Sequence, residues 1–109
     1  MDTLKKNFEF KRVLSRGKCI KGKLLAIYVF PNKLNKVRVG FAIGKKAGKA
    51  HDRNRIRRLI KENYRLLESR LTSGIDIVFV WKNILPADRL DYKKIENDVR
   101  LLLNFYESK

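Results

Sequence analysis

Residues 50–65 read AHDRNRIRRLIKENYR, and no other stretch of the chain limits its fold so tightly. At ~100° per residue, Ile56, Leu59, Ile60, Leu67 and Leu71 fall within one arc of roughly 120° on a helix. Asn54, Arg57, Arg58, Lys61 and Arg65 fall within an opposite arc of roughly 100°. Arg53 and Arg55 flank the two margins. The spacing therefore predicts a helix from about Ala50 to Leu71, ended by Ser73 and Gly74, with an apolar side for a core and a cationic side for something else. Across 45–65 there are nine Lys or Arg against Asp52 and Glu62. Ion pairing along the helix cannot absorb an excess of that size. Arginine also outnumbers lysine on this helix, and its planar fork binds phosphate bidentately where an ammonium cannot.

The excess extends over the whole chain: 27 Lys and Arg against 11 Asp and Glu, net +16 in 109 residues. Self-repulsion of that size is relieved by an anionic partner. With 44% hydrophobic residues, six Phe, four Tyr and one Trp, the chain has material for a modest core and is not a disordered basic tail. A single domain over 1–109 is expected. The longest apolar run, Leu24 to Phe30, is far short of the roughly 20 residues of a membrane span. No signal peptide is read at the start, so no membrane partner is expected, and a reducing cytoplasm suits the lone Cys19, which cannot form an internal disulfide.

Around the basic helix the pattern is mixed. Phe10, Val13 and Leu14 predict a helix over 8–16 capped by Asn7 and stopped by Gly17, followed by a short strand or turn from Lys18 to Lys23. LLAIYVF (24–30) and VRVGFAI (37–43) read as strands joined by turn material, PNKLNK. GKKAGK (44–49) is a basic loop with glycines. IDIVFVW (75–81) reads as a strand covered on both faces, and a last helix is expected near 91–106 after Pro86. The order α-β-β(β)-α-β-α places helices on one small sheet, an α+β fold of the α/β sandwich type, with strand 37–43, helix 50–71 and strand 75–81 as a β-α-β unit.

Catalytic groups are scarce. His51 is the only histidine and Cys19 the only thiol, so no Ser-His-Asp, Cys-His or HExxH set can be assembled. Asp88 and Asp91 suit the first-turn dipole of the last helix better than a metal site. The glycines before the basic helix lack the GxxxxGK[ST] pattern of a phosphate loop. The basic face is of phosphate-binding type, with no helix-turn-helix spacing before it, so RNA is favoured and DNA is not expected. Phe8, Phe10 and Tyr28 could stack on unpaired bases, or pack in the core.

RVGFAIGKKAGKAHDRNRIRRLIKENYR (38–65) resembles the signature of the bacterial ribonuclease P protein subunit, in which a strand ending in a Lys-Lys loop leads into a helix opened by Arg-Asn-Arg. NFEFKRVLSRGK (7–18) is similar to that family's first helix, and the remaining strands and closing helix follow in family order. The resemblance implies a protein cofactor of the ribozyme that removes 5′ leaders from precursor tRNA, with catalytic Mg²⁺ held by the RNA subunit and no catalytic side chain in this chain. It gives binding of the RNA subunit to Lys45, Lys46, Arg53, Asn54, Arg55, Arg57, Arg58 and Lys61, to which the outward phase of the helix adds Arg65. It gives the leader a cleft between first helix and sheet, with Phe10 and Tyr28 in the aromatic positions and Leu14 where many members carry a second aromatic. It further implies a ribosomal-protein-like sandwich with a left-handed β-α-β crossover, although about 98% of such connections are right-handed. A structural protein of the ribosome on a similar sandwich is the main rival, and a DNA-binding regulator a weaker one.

Overall fold

The computed structural model describes residues 1–71, 74–81 and 92–107, of which Phe105 and Glu107 are described in backbone alone. Its strands are β1 (Asp2–Thr3), β2 (Lys18–Lys21), β3 (Leu25–Pro31), β4 (Arg38–Ile43) and β5 (Ile75–Trp81). Its helices are α1 (Asn7–Arg16), α2 (Ala50–Leu67) and α3 (Tyr92–Glu107). The strands form one sheet in the order β1-β4-β5-β3-β2, parallel at β1/β4 and β4/β5 and antiparallel elsewhere. This is the expected α+β sandwich. Pro86, Asp88 and Asp91 lie outside the described residues.

Alternation along each strand divides the side chains between two layers. Ile75, Ile77, Phe79 and Trp81 of β5 join Leu25, Ile27 and Val29 of β3 and Val39 of β4 in the main core, under α2 and α3. Tyr64 of α2 is fully buried there, edge-on to Phe41 and Phe79 at 6.3 and 5.5 Å between ring centres. Burial pushes its hydroxyl well above the ordinary phenol range, with the charge of Glu68 adding to the effect. On the opposite face, among the described residues, α1 covers the sheet, through Val13 against Val78 with Leu4, Phe10 and Tyr28 around them.

One hydrogen bond fixes the hand of the β4-α2-β5 crossover. The Val39 carbonyl accepts the Leu4 N–H of the segment following β1 at 2.9 Å, while the Val39 side chain points into the core beneath α2. On an L-residue whose strand runs upward and whose side chain faces the viewer, N–H and C=O point right. Seen from α2, β1 therefore lies to the right of β4 and β5 to the left. A right-handed crossover would place β5 on the right. The connection is left-handed.

Several local expectations are corrected. Asn7 is the first residue of α1, not its cap: Glu9 Oε1 accepts the N–H groups of Lys5 and Lys6 at 3.0 and 2.9 Å, satisfying donors at the helix entrance from inside. β1 is an additional strand, too short to show a period. α2 stops at Leu67 and continues as a 3₁₀ turn over Glu68–Arg70 before buried Leu71.

Two buried acids tie the layers together. Asp76 of β5 is 0% exposed and receives Arg38 Nε and Nη2 at 2.8 and 2.7 Å, plus Asn32 Nδ2 at 2.8 Å. Arg38 Nη1 reaches across to Glu9 of α1 at 2.7 Å. Asp98 of α3 accepts the N–H groups of Lys23, Leu24 and Leu25 at 2.8–3.0 Å, which pins the β2–β3 turn from the main-core side.

The N–H of Lys6, then that of Lys5, and the Arg38 guanidinium hold the Glu9 carboxyl below its ordinary range. As pH falls, the unfolded chain therefore takes up this proton before the folded one does. The contribution of Glu9 is complete above the ordinary carboxylate pKa of about 4.3 and is lost as pH drops towards the lowered folded value. Urea unfolding between pH 3 and 6 is expected to show stability falling at the acid end, with a shallower fall in Glu9→Gln. An equal slope in both proteins would contradict this role.

Candidate nucleic-acid interface

The basic surface starts where β4 ends. Lys45 and Lys46 stand exposed on a 3₁₀ turn whose third residue, Ala47, is buried and anchors it. Gly48 follows at φ +138°, a conformation that side-chain-bearing residues rarely adopt, and an added Cβ there would come within 3.0 Å of the Asp52 side chain. Asp52 in turn accepts the Lys49 N–H at 3.3 Å in the first turn of α2. The loop is thus folded back onto the helix it precedes, and its lysines sit beside the positive end of the helix dipole.

Along α2 the predicted division holds. Ile56 and Ile60 are fully buried and Leu59 partly so. Asn54, Arg55, Arg58 and Arg65 are exposed, while Arg53, Arg57 and Lys61 are partly covered. Arg57 Nη1 donates to Asn54 Oδ1 at 2.7 Å, which restrains the guanidinium about two turns from the helix start. The structure brings Lys45, Lys46, Arg53, Asn54, Arg55, Arg57, Arg58, Lys61 and Arg65 onto one helix and the loop feeding it.

The second surface lies on the α1 side of the sheet. The first turn of α1 sits over the start of β4 and β5 through the Glu9–Arg38 pair, and its end at Gly17 lies against Val29 of β3. Beside it Ala42 and Val80 are partly exposed on the same face of the sheet. Phe10 rests directly on Gly40 of β4, where an added Cβ would come within 2.4 Å of the ring. Gly40 thus seats the Phe10 ring against the sheet. Tyr28 of β3 is partly exposed on the same face, opposite exposed Cys19 of β2. Leu14, one helical turn after Phe10, is 37% exposed. Phe8 is 59% exposed on the outer side of α1, with the Lys6 ammonium 5.7 Å from its ring centre, and takes no part in this cleft.

A depression of about 450 Å³ joins the two surfaces. Phe10, Ala42 and Val80 belong to the cleft, Gly44 to the basic loop and Arg57 to α2, and all five line it. It opens at the carboxyl ends of the parallel strands β4 and β5, where α/β sheets commonly receive ligands. A hollow of about 420 Å³ between α3 and the β2–β3 turn lies elsewhere, and its carboxylate, Asp98, is already engaged by three backbone N–H groups. Among the described residues no helix is long and apolar enough to cross a membrane, and no group of three or more His, Cys, Asp or Glu is placed to hold a metal ion.

Comparison with known proteins gives a consistent set of likenesses. The family model described as Ribonuclease P matches residues 1–107. A ribonuclease P protein component of Natranaerobius thermophilus is 41% identical over 96 residues, covering 88% of this chain and 82% of its own length. One from Clostridium botulinum is 43% identical over 101 residues, covering 92% and 89%. The solved RNase P protein of Staphylococcus aureus superimposes with a TM-score of 0.85 at 28% identity, over 97% of this chain and 95% of that one. The protein from Thermotoga maritima, at 24% identity, shares the fold with a TM-score of 0.82 over 94% and 96%.

Proposed function

The chain belongs to the ribonuclease P protein family, and on that footing we propose that α2 and the Lys45–Lys46 loop bind the catalytic RNA subunit while the cleft beside α1 receives the 5′ leader of precursor tRNA. The observation that carries this reading is the continuity of the two surfaces: the depression that begins between Phe10 and Val80 ends on Arg57 of the basic helix. An RNA held on α2 therefore lies next to a strand held in the cleft. Lys45, Lys46, Arg53, Arg55, Arg57, Arg58, Lys61 and Arg65 supply phosphate contacts, and Asn54 adds a group that both donates and accepts. In the cleft, Phe10, Leu14 and Tyr28 offer apolar and aromatic surface to unpaired bases, a mode that tolerates many sequences.

The reaction class is endonucleolytic hydrolysis, and this chain's part in it is binding and charge neutralisation. Its proposed RNA-facing side chains are cationic, amide or apolar, whereas Mg²⁺ takes oxygen anions and water. Residues of that kind do not fit a protein-held Mg²⁺, and in this reading the ions bind through the RNA. By neutralising phosphates of subunit and leader, the protein lowers the Mg²⁺ concentration at which the two RNAs come together.

Reconstitution tests the reading. Added to a bacterial ribonuclease P RNA at low Mg²⁺, the protein is expected to accelerate precursor-tRNA cleavage at the mature 5′ end. An absence of stimulation, with tight binding to ribosomal RNA fragments instead, would favour a structural protein of the ribosome.

A further inference from the structure

The two edges of the sheet are finished differently. On one side it ends in β2, whose four residues KCIK include two lysines. Charge of that kind on a short strand keeps a further strand from pairing with it. On the other side β1 covers β4 only in part. It pairs Asp2 with Arg38 and Thr3 with Val39, followed by the Leu4 N–H bond to the Val39 carbonyl at 2.9 Å. β4 continues through Gly40, Phe41, Ala42 and Ile43, and among the described residues no strand lies outside that half.

Backbone groups alternate in direction along a strand as side chains do. The Val39 carbonyl points outward to Leu4, so the N–H and C=O of Phe41 and Ile43 point outward as well. On its inner side β4 is paired with β5 throughout. Burial changes at the same point. Val39 is 0% exposed and Gly40 is buried, whereas Phe41, Ala42 and Ile43 are all partly exposed and line the depression that reaches Arg57. Open space thus lies against this half of the strand. Its residues include no charge and no proline, the devices by which edge strands are commonly protected.

The charge around the edge selects what pairs with it. Lys45 and Lys46 follow the strand closely, Arg57 lines the depression beside it, and Lys5 and Lys6 come directly after Leu4. A second copy of the chain would bring the same cations to the same edge, and a net charge of +16 opposes that pairing. Nucleic acid would suit the cations and the two N–H donors, but its phosphates would meet the two outward carbonyls acceptor to acceptor. A peptide strand supplies a donor and an acceptor at every second residue. We propose that the outer edge of β4 from Gly40 to Ile43 takes up an extended segment of a partner protein as an added strand, apolar at alternate positions and acidic at those between. Its apolar residues lie beside Phe41 and Ile43, which share a face, and its acids meet the surrounding cations. At ~3.3 Å per residue, the open half accommodates about four residues. The contact is with a protein and stands apart from the RNA assignment.

The experiment uses the isotope-labelled full chain and a capped peptide of about ten residues in which Glu alternates with Val, long enough to span the open half. Two control peptides keep the sequence and charge but carry backbone N-methyl groups, one on its central Val residues and the other on its central Glu residues. The parent peptide is expected to shift the Phe41 and Ile43 amide resonances and to slow their hydrogen exchange. One control, the one methylated on the side turned to β4, should bind about tenfold more weakly for the loss of two backbone bonds, and the other should bind like the parent. Ile43→Pro removes an outward N–H at the end of an edge strand and leaves the β4–β5 ladder in place, so it should weaken the parent peptide about fivefold. The controls keep the test decisive should that variant fail to fold. Equal binding of all three peptides would mean attachment by charge alone and overturns the proposal, as does an equal loss in both controls. Protection of the two amides by a second copy at raised protein concentration, or by oligouridine and not by the peptide, overturns it too.

Discussion

Arg38→Met is expected to lower folding stability by about 3–5 kcal/mol, the usual cost of removing one partner from a buried charge pair. Asp76 sits at 0% exposure in the middle strand of the sheet, and the Arg38 fork meets both of its oxygens. Methionine keeps most of the apolar stem, so little of the loss comes from packing. Among the described residues the remaining side-chain donor to Asp76 is Asn32 Nδ2, which cannot balance a full charge in that setting. Glu9 loses its cation in the same substitution, which releases the first turn of α1 from β4. The damage is electrostatic, so adding Asp76→Asn to Arg38→Met should recover part of it by removing the stranded charge. Urea unfolding reads the effect as a lower midpoint at unchanged m. A shift of under about 1 kcal/mol would mean that water reaches Asp76 in solution.

This cluster also shows where sequence reading stops. The apolar run IDIVFVW is visible as a strand covered on both faces, and a charge inside such a strand must find a partner. Nothing in spacing says that the partner is Arg38, because the two residues meet only once β4 and β5 pair in parallel register. Asp98 is similar: its place on α3 is legible, its three backbone donors in a turn more than 70 residues away are not. α2 is the opposite case. Its two faces follow from the 3.6-residue period alone, and Ile56 and Ile60 lie buried as that period requires. β1 is not legible in the sequence, because two residues cannot display a period. The crossover's hand lies beyond composition as well; the family likeness supplied it, and the Val39–Leu4 bond accounts for it geometrically. In the cleft, Phe10 was legible as an apolar residue of α1, whereas its seat on Gly40 depends on how α1 crosses the sheet.

Replacing Arg57 and Arg58 together by alanine is expected to weaken binding to the ribonuclease P RNA on the order of 100-fold. A hydrogen bond to a charged group contributes about 1.5–3 kcal/mol, so the loss of two such contacts at the low end reaches that ratio. The logarithmic salt slope should become shallower by about 1.4–1.8, corresponding to two phosphates. Folding should survive, because Arg58 is exposed, Arg57 is only partly covered, and neither contributes to the core under α2. Removing two positive charges also reduces repulsion along a helix where they crowd, so thermal stability should hold or rise slightly. Lysine at both positions separates charge from shape. It keeps the phosphate count, and with it the salt slope, but loses the planar fork and the geometry of the Arg57–Asn54 bond. Affinity for that variant should fall between wild type and the alanine pair. If the alanine pair unfolded the protein, the arginines would be part of its packing. If it bound RNA as before, the ribonuclease P RNA would have to dock on another face.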